Sequence, residues 1–318
     1  MTTAVSPIVV TVAMLTFQRP TELARAVFPT LKQVLEVNKS PSTAATVELL
    51  IVDNDPTGSA RGYVESLGFA AVRYVVEPEP GITAGRNRAL REAEASDLLV
   101  FIDDDEVPRA GWLSPLIEMW RRTGAAAVRG QVVSLFDVEP DPWVVAGEFF
   151  GRPPMTTGDS LAVTATNNLL LDLQQVRSFD LHFDDRLGLS GGEDNLFTQQ
   201  LTTNGGRIVA CSESVVDEFV PASRSTRRWV LTRARRGGNT ASVIELILAP
   251  KGARRSMVRA RAAIGGGFRV LGGSVRYLGG LALRSNRHQA RGLRAANRGI
   301  GMVTASLGVV VQEYARKK

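Results

Sequence analysis

Cysteine is almost absent from this chain. Its one copy, Cys211, has no internal partner, which excludes an intramolecular disulfide framework and favours a reducing compartment. Long hydrophobic runs are missing too. No window reaches the ~20 uncharged apolar residues of a bilayer-spanning helix, so no spanning anchor is expected. The apolar stretch Ile8–Thr16 is short and has no basic flank before it, which fits a buried strand and not a secretory signal. Histidine occurs twice, as His182 and His288. There is no internal repeat and no low-complexity tract. Acidic residues are scarce at one end only. Residues 1–221 hold 17 Lys+Arg and 30 Asp+Glu, a net of −13, whereas residues 222–318 hold 21 Lys+Arg and two acids, Glu245 and Glu313, a net of +19. Opposite charge of this size implies two regions with different tasks.

What is present suits a globular protein. A chain of 318 residues with 44% hydrophobic and 22% charged content can build one large α/β domain with appendages, or two domains. The acidic region alternates strand-like and helix-like segments. Strands are expected at Ile8–Thr16, 47–52, Val72–Val76 and 98–102, and helices at 20–37, 84–95 and 115–123. Further strands are expected at 126–135 and 161–171, then a Gly-rich loop over 184–195 opening a helix at 195–201. Continuous apolar strands alternating with helices imply a parallel sheet covered on both faces, with ligands at the strands' carboxyl ends. Three such ends are polar or acidic: Thr16-Phe17-Gln18-Arg19, Asp53-Asn54-Asp55 and Asp103-Asp104-Asp105.

Asp103-Asp104-Asp105-Glu106 follows a buried strand directly. Four consecutive acids repel one another, and a divalent cation held by one or two carboxylates with phosphate oxygens would relieve that repulsion. Asp103 and Asp105, two apart, can point into one cleft. The alternative is a solvated acidic turn. Gly191-Gly192-Glu193-Asp194 places two carboxylates in the first turn of a helix, where plain dipole stabilisation is the competing explanation. Gly81-Ile82-Thr83-Ala84-Gly85-Arg86-Asn87-Arg88 is either a phosphate-receiving helix start or a solvated basic face. Arg233, Arg235, Arg236 and Gly237 form a basic knot whose guanidinium forks suit a diphosphate.

Taken in order, these motifs resemble family 2 glycosyltransferases, an inverting group with a GT-A fold, and within it bacterial members of the succinoglycan-transferase type that build exopolysaccharide or envelope glycans. The resemblance covers about residues 7–240. It implies a mostly parallel central sheet flanked by helices, a nucleotide-diphosphate sugar donor, a glycan or lipid-linked acceptor, and Mg²⁺ or Mn²⁺. By resemblance Thr16, Phe17 and Arg19 line the base pocket and Asp53 bonds the base, with Asn54 and Asp55 beside it. Arg86 and Asn87 flank the nucleotide. Asp103 and Asp104 meet ribose and diphosphate, Asp105 with Asp103 holds the metal, and Asp194 is the general base with Glu193 adjacent. Arg235 and Arg236 fall near the leaving diphosphate. Relatives often carry a metal-binding His after the late strand. Here Val216-Asp217-Glu218-Phe219-Val220-Pro221 has none, which leaves Glu218 as a substitute oxygen donor or no such ligand at all. His182 fits a packing or surface role.

A sugar-phosphate nucleotidyltransferase is the rival enzyme class, but its Gly-rich loop after the first strand is replaced here by Thr16-Phe17-Gln18-Arg19-Pro20. A non-catalytic glycan-binding scaffold is the other alternative. The resemblance and the charge step divide the chain into a catalytic region, 1–221, and a basic, mainly helical region, 222–318. In the latter, apolar stretches alternate with arginines, and Arg269 and Arg276 share a helix face. This pattern suits helices on an anionic membrane surface, giving a cytoplasmic enzyme peripheral to the inner face of the plasma membrane. An extension packing on the catalytic region or a second subunit is the competing reading. Nucleic acid is disfavoured, because only Phe268, Tyr277 and Tyr314 follow Trp229 as stacking groups.

Overall fold

The computed structural model describes residues 7–312, so Glu313 and Tyr314 lie outside the described residues. The acidic region forms a nine-stranded mixed sheet. Strands β1 (Ile8–Thr16), β2 (Ala45–Asp53), β3 (Val72–Val76) and β4 (Leu98–Asp103) pair in parallel, in the spatial order β3-β2-β1-β4. The sheet continues through β8 (Leu169–Asp172), β6 (Ala127–Phe136) and β9 (Ile208–Val220) to β5 (Glu106–Pro108), with β7 (Ser160–Leu161) also on β9. The β6–β9 ladder is parallel. The pairings of β8, β5 and β7 are short and antiparallel.

Both faces of the parallel half are covered. On one side Val10, Val12 and Met14 of β1 meet α1 (Pro20–Lys39) and α4 (Leu113–Thr123) through Leu23, Val27, Leu116 and Ile117. On the other side Ala13, Leu50 and Phe101 meet α3 (Ile82–Glu92) and α7 (Glu193–Thr203) through Ala89, Phe197 and Leu201. This is why the strands read as continuous apolar runs and not as an alternation. The strand ends and the loops after them therefore meet along one edge.

Several expected boundaries shift. The helix expected from 84 begins at Ile82, and that expected from 195 begins at Glu193, so both acidic side chains lie inside its first turn. The segment 161–171 is not one strand. Residues 162–168 leave the sheet between β7 and β8, and Asn168 adopts φ 55°, held because Trp112 Nε1 donates to its Oδ1 while its Nδ2 donates to the Gln131 and Ser214 carbonyls. Three short helices had no clear sequence signal: α2 (Arg61–Ser66), α5 (Pro142–Ala146) and α6 (Leu173–Ser178).

The basic region is three long helices: α8 (Arg227–Leu248), α9 (Ala253–Ala282) and α10 (Asn286–Ser306). Helix α10 packs between the other two. The α9–α10 hairpin closes on glycine. A Cβ at Gly273 would sit 2.6 Å from Ala296 N and Gly292 O, and one at Gly280 would sit 2.6 Å from Gln289 N. Between α8 and α10, Gly238 and Gly301 each lie against the facing backbone. Asn239 clasps the chain end, donating to Val309 O and accepting from Val311 N.

Candidate active site

Where β1, β2 and β4 end, the loops open a cleft of about 1240 Å³. Its acidic wall is the turn after β4. Asp104 is buried, and its carboxylate accepts from Thr16 Oγ1 (2.9 Å) and Arg19 Nη1 (2.8 Å). Burial pushes Asp104 up to about 6, with Arg19 opposing and Asp105 adding to the rise. Asp103 is raised as well, first by burial, then by Asp105, Asp104 and Glu218 against the pull of Arg86. Glu106 is fully buried and not part of an exposed acidic turn. It accepts from Asn167 Nδ2 (2.7 Å) and the Asp103 N–H (3.1 Å), and its pKa is pushed well up by burial and by Asp103. Asp105 points its Oδ2 between Arg19 Nη1 (3.3 Å) and Arg224 Nη1 (2.9 Å).

The second acidic wall is the start of α7. Gly192 enters it at φ 91°, and a Cβ there would collide with Thr240 of α8, so this loop seats directly on the basic region. Glu193 is buried, ion-paired to the equally buried Arg86 through Oε1, and its Oε2 has no hydrogen-bond partner among the described residues. Burial raises the Glu193 pKa, Arg86 opposes that shift and Asp194 reinforces it. Asp194 is half-buried and lines the cleft, with Oδ1 accepting from the Asn195 N–H at 2.6 Å. Asp105 and Asp194, 89 positions apart in the chain, thus face one cavity.

Arginines complete the lining. Arg19, Arg224, Arg233 and Arg236 come from the β1 end, the turn after β9 and α8. Arg129 enters from β6, where burial lowers its pKa to about 10 against the attraction of Glu106. Phe150 and Trp229 form an aromatic wall with rings parallel within 2° at 6.0 Å. Among the described residues, no group of three or more His, Cys, Asp or Glu forms a ready metal cage.

Comparison with known proteins places the fold. Residues 11–168 match the profile Glycosyl transferase family 2. The chain is 31% identical over 313 residues to the succinoglycan biosynthesis protein ExoM of Rhizobium meliloti (strain 1021), covering 96% of each. This chain belongs to glycosyl transferase family 2. Among solved structures, S. aureus TarS 1–349 in complex with UDP is similar at TM-score 0.53 and 16% identity, over 94% of this chain and 92% of that one. Against a longer TarS chain the match spans 42% of its length. GalNAc-T7 with UDP, GalNAc and Mn²⁺ is similar at TM-score 0.53 and 12% identity, over 80% of this chain and 54% of that one. The fold is GT-A, with a helical C-terminal part.

Within this glycosyltransferase, the candidate residues divide. Thr16, Phe17, Arg19, Asn54, Arg86 and Arg236 line the cleft together with Asp103, Asp104, Asp105, Glu193 and Asp194. Four others do not. Asp53 is fully buried, and its carboxylate accepts from the Asp55 N–H, the Ala60 N–H and Tyr74 OH, so it braces the loop after β2 instead of facing a base. Asp55 accepts from Gln18 Nε2 and from Thr57, which holds it near 2 despite the opposing pull of burial, and it too is absent from the lining. Asn87 exchanges two hydrogen bonds with the Phe183 backbone and anchors α3 to the loop before α7. Arg235 lies on the exposed side of α8, because Arg233 and Arg236, three apart, take the inward face. His182 and His288 are both exposed. Glu218 lines the cleft, where it accepts from Ser134 Oγ and Arg152 Nη2, each at 2.8 Å.

Sequence reasoning missed Arg129, Arg152 and Arg224. Arg129 had a signal, a lone charge within a strand that otherwise reads apolar. Arg224 and Arg152 sit in irregular segments with no periodicity to mark them.

Proposed function

We propose that this chain transfers a sugar from a nucleotide-diphosphate donor to a hydroxyl of a glycan or lipid-linked acceptor, with inversion, in exopolysaccharide or envelope glycan assembly. The observation that carries the reading is the meeting of the β4 acidic turn, the α7 carboxylates and seven arginines in one cleft. TarS and GalNAc-T7, both similar in fold, are described with UDP, and the relative ExoM with succinoglycan biosynthesis. The division of labour is a catalytic region, 1–221, and a basic region, 222–318, whose α8 lends Arg233, Arg236 and Trp229 to the cleft.

The donor set suits a divalent cation. Asp103 and Asp105 open into the cleft beside Asp104, and burial raises the pKa values of Asp103 and Asp104, a situation that a cation relieves. One or two carboxylates with diphosphate oxygens is an ordinary Mg²⁺ or Mn²⁺ arrangement and needs no three-ligand cage. Asp105 and Asp103 would hold such an ion, which would supply charge neutralisation for the departing diphosphate. The chain's own groups do the rest. Arg19, Arg224 and Arg236 hold the diphosphate oxygens. Asp194 accepts the acceptor hydroxyl's proton as that oxygen attacks the anomeric carbon, and the single displacement inverts the centre. Glu193, fixed by Arg86, keeps the α7 start in place. Phe150 and Trp229 give the acceptor's sugar ring an apolar wall.

The test is a pair of measurements on Asp194→Asn. Donor binding, read as the melting-point rise with UDP-, GDP- or dTDP-sugars and Mn²⁺, stays as in the wild type. Transfer falls by about 10²–10⁴-fold, the usual contribution of a positioned base. Wild-type turnover in that variant removes Asp194 from the role. No response to any nucleotide sugar removes the donor class.

A further inference from the structure

Helix α9 has two opposed faces. At about 100° per residue, Gly266, Gly273 and Gly280 fall on one side, packed against α10. Met257, Ile264, Phe268, Leu271, Val275 and Leu278 fall on the other, each 61–71% exposed. Between the faces, along one flank, run the exposed arginines Arg254, Arg261, Arg269 and Arg276. A 30-residue helix is about 45 Å long, so the apolar stripe extends well beyond the scattered exposed side chains ordinary for a protein surface.

We infer that this face of α9 lies flat in the surface of an anionic lipid bilayer, with the six apolar side chains below the headgroups and the arginine flank among the phosphates. Three observations select this occupant. No Asp or Glu occurs from 246 to 312, so nothing in the hairpin neutralises the arginines, and an anionic lipid surface does. A second copy docked by the same face would oppose one acid-free arginine flank to another, because a two-fold contact matches a patch with itself. Among the described residues no helix is long and apolar enough to cross a membrane, so the stripe has the hydrophobicity of a helix that lies on a bilayer, not of one that spans it. The glycine seam supports the geometry. With glycine backbone forming much of the contact between α9 and α10, α10 backs the exposed apolar side chains of α9 closely. Helix α10 in turn packs on α8, which walls the cleft, so the lipid contact and the catalytic region are joined through two helix interfaces.

The experiment uses the full chain with vesicles of phosphatidylcholine, with and without phosphatidylglycerol, at low and high salt. The wild type sediments with the anionic vesicles and much less with the neutral ones, and salt weakens binding. Phe268→Glu with Leu271→Glu lowers partitioning by about a hundredfold or more, from lost apolar burial and added repulsion. Arg269→Gln with Arg276→Gln lowers it about thirtyfold, and Arg61→Gln, on the body surface, leaves it unchanged. The arginine pair is exposed and Gln keeps the first side-chain carbons, so that variant keeps the wild-type melting point and tests the idea even if the apolar pair misfolds. Equal recovery of wild type with and without anionic lipid overturns the proposal. So does a concentration-dependent dimer in lipid-free solution that the Phe268/Leu271 variant abolishes, which assigns the face to a second copy.

Discussion

In the acidic body the distinctive groups are charged and buried, whereas in the basic helices they are apolar and exposed. Asp104, Glu106, Arg86 and Glu193 are each under 10% exposed, while Phe268 and Val275 of α9 are 71% and 70% exposed. Each arrangement opposes the ordinary preference of the side chain and costs folding free energy. In the body, the burial gives a low-dielectric cleft in which carboxylates and guanidiniums would act strongly on the proposed diphosphate donor. In the helices, the exposure gives a face that gains by leaving water. These two departures from the usual partition, in opposite senses, are where the two proposed contacts, with a donor and with a lipid surface, would lie.

The sharpest way to test the body's half of this contrast is to unpair its buried charges. Arg86→Ala leaves Glu193 buried without its partner, and breaking such a pair costs about 3–5 kcal/mol. Denaturant unfolding should show a loss of that order, with the slope unchanged. The same truncation at exposed Arg269 should stay within about 0.5 kcal/mol. Comparable losses at both positions would erase the distinction.

The helices' half fails differently. Gly273→Val places a Cβ 2.6 Å from Ala296 N and Gly292 O, and the hairpin must spread to admit it. Overpacking of this kind costs about 1–3 kcal/mol. Because α9 packs mainly on α10, the damage should stay local. Limited proteolysis should cut within 249–285 faster in the variant, with nucleotide-sugar binding kept. Loss of donor binding would show that the seam supports the cleft more directly than the packing order α9-α10-α8 implies.

The parallel half of the sheet was legible in the sequence because burial on both faces writes unbroken apolar runs, as in β1 and β4. The acidic strand end was legible because Asp103-Asp104-Asp105 has no structural reason to follow such a run. The side-chain directions were not. Asp53 looks like a binding residue by position, yet Tyr74 and two backbone N–H groups occupy its carboxylate. Only the β2–β3 register, which brings Ile51 opposite Tyr74, places that hydroxyl near the strand end. The region 162–168 read as strand because its composition is β-rich, but Asn168, through its bonds to β6, β9 and Trp112, pulls it out of the sheet. Taken singly, the glycines of α9 and α10 carry only a low helix propensity. Their seven-residue spacing becomes a contact only when the second helix is alongside.

Protons and cations should compete in the body alone. Asp104 is raised to about 6 in the fold by burial, and Asp103 and Glu106 move the same way. A carboxyl with a raised folded pKa binds its proton more tightly in the native state. Its contribution to stability is therefore complete below the ordinary carboxylate range and lost as pH rises through about 6. A divalent cation binds the ionised form and works in the opposite sense. The melting-point gain from Mn²⁺ should be small near pH 5 and grow through pH 7, and chelation should reverse it. An equal gain at both ends of that window would separate the cation from these carboxylates.

The smallest effect falls at the junction of the two regions, where only one of two neighbouring arginines of α8 reaches the cleft. Arg236 lines the cleft and Arg235 does not. If α8 is part of the donor site, Arg236→Ala should weaken nucleotide-sugar affinity by about tenfold, the worth of one charge-assisted hydrogen bond of ~1.5 kcal/mol. Arg235→Ala should change it by less than about twofold, since an exposed arginine facing away contributes little. Gln at position 236 should recover part of the loss through its neutral donor, which a purely electrostatic contribution would not allow. Equal sensitivity at 235 and 236 would mean that the helix acts through its overall charge. The basic region would then serve the cleft as a field and not as a wall, and the division between buried chemistry and exposed docking would no longer follow the chain.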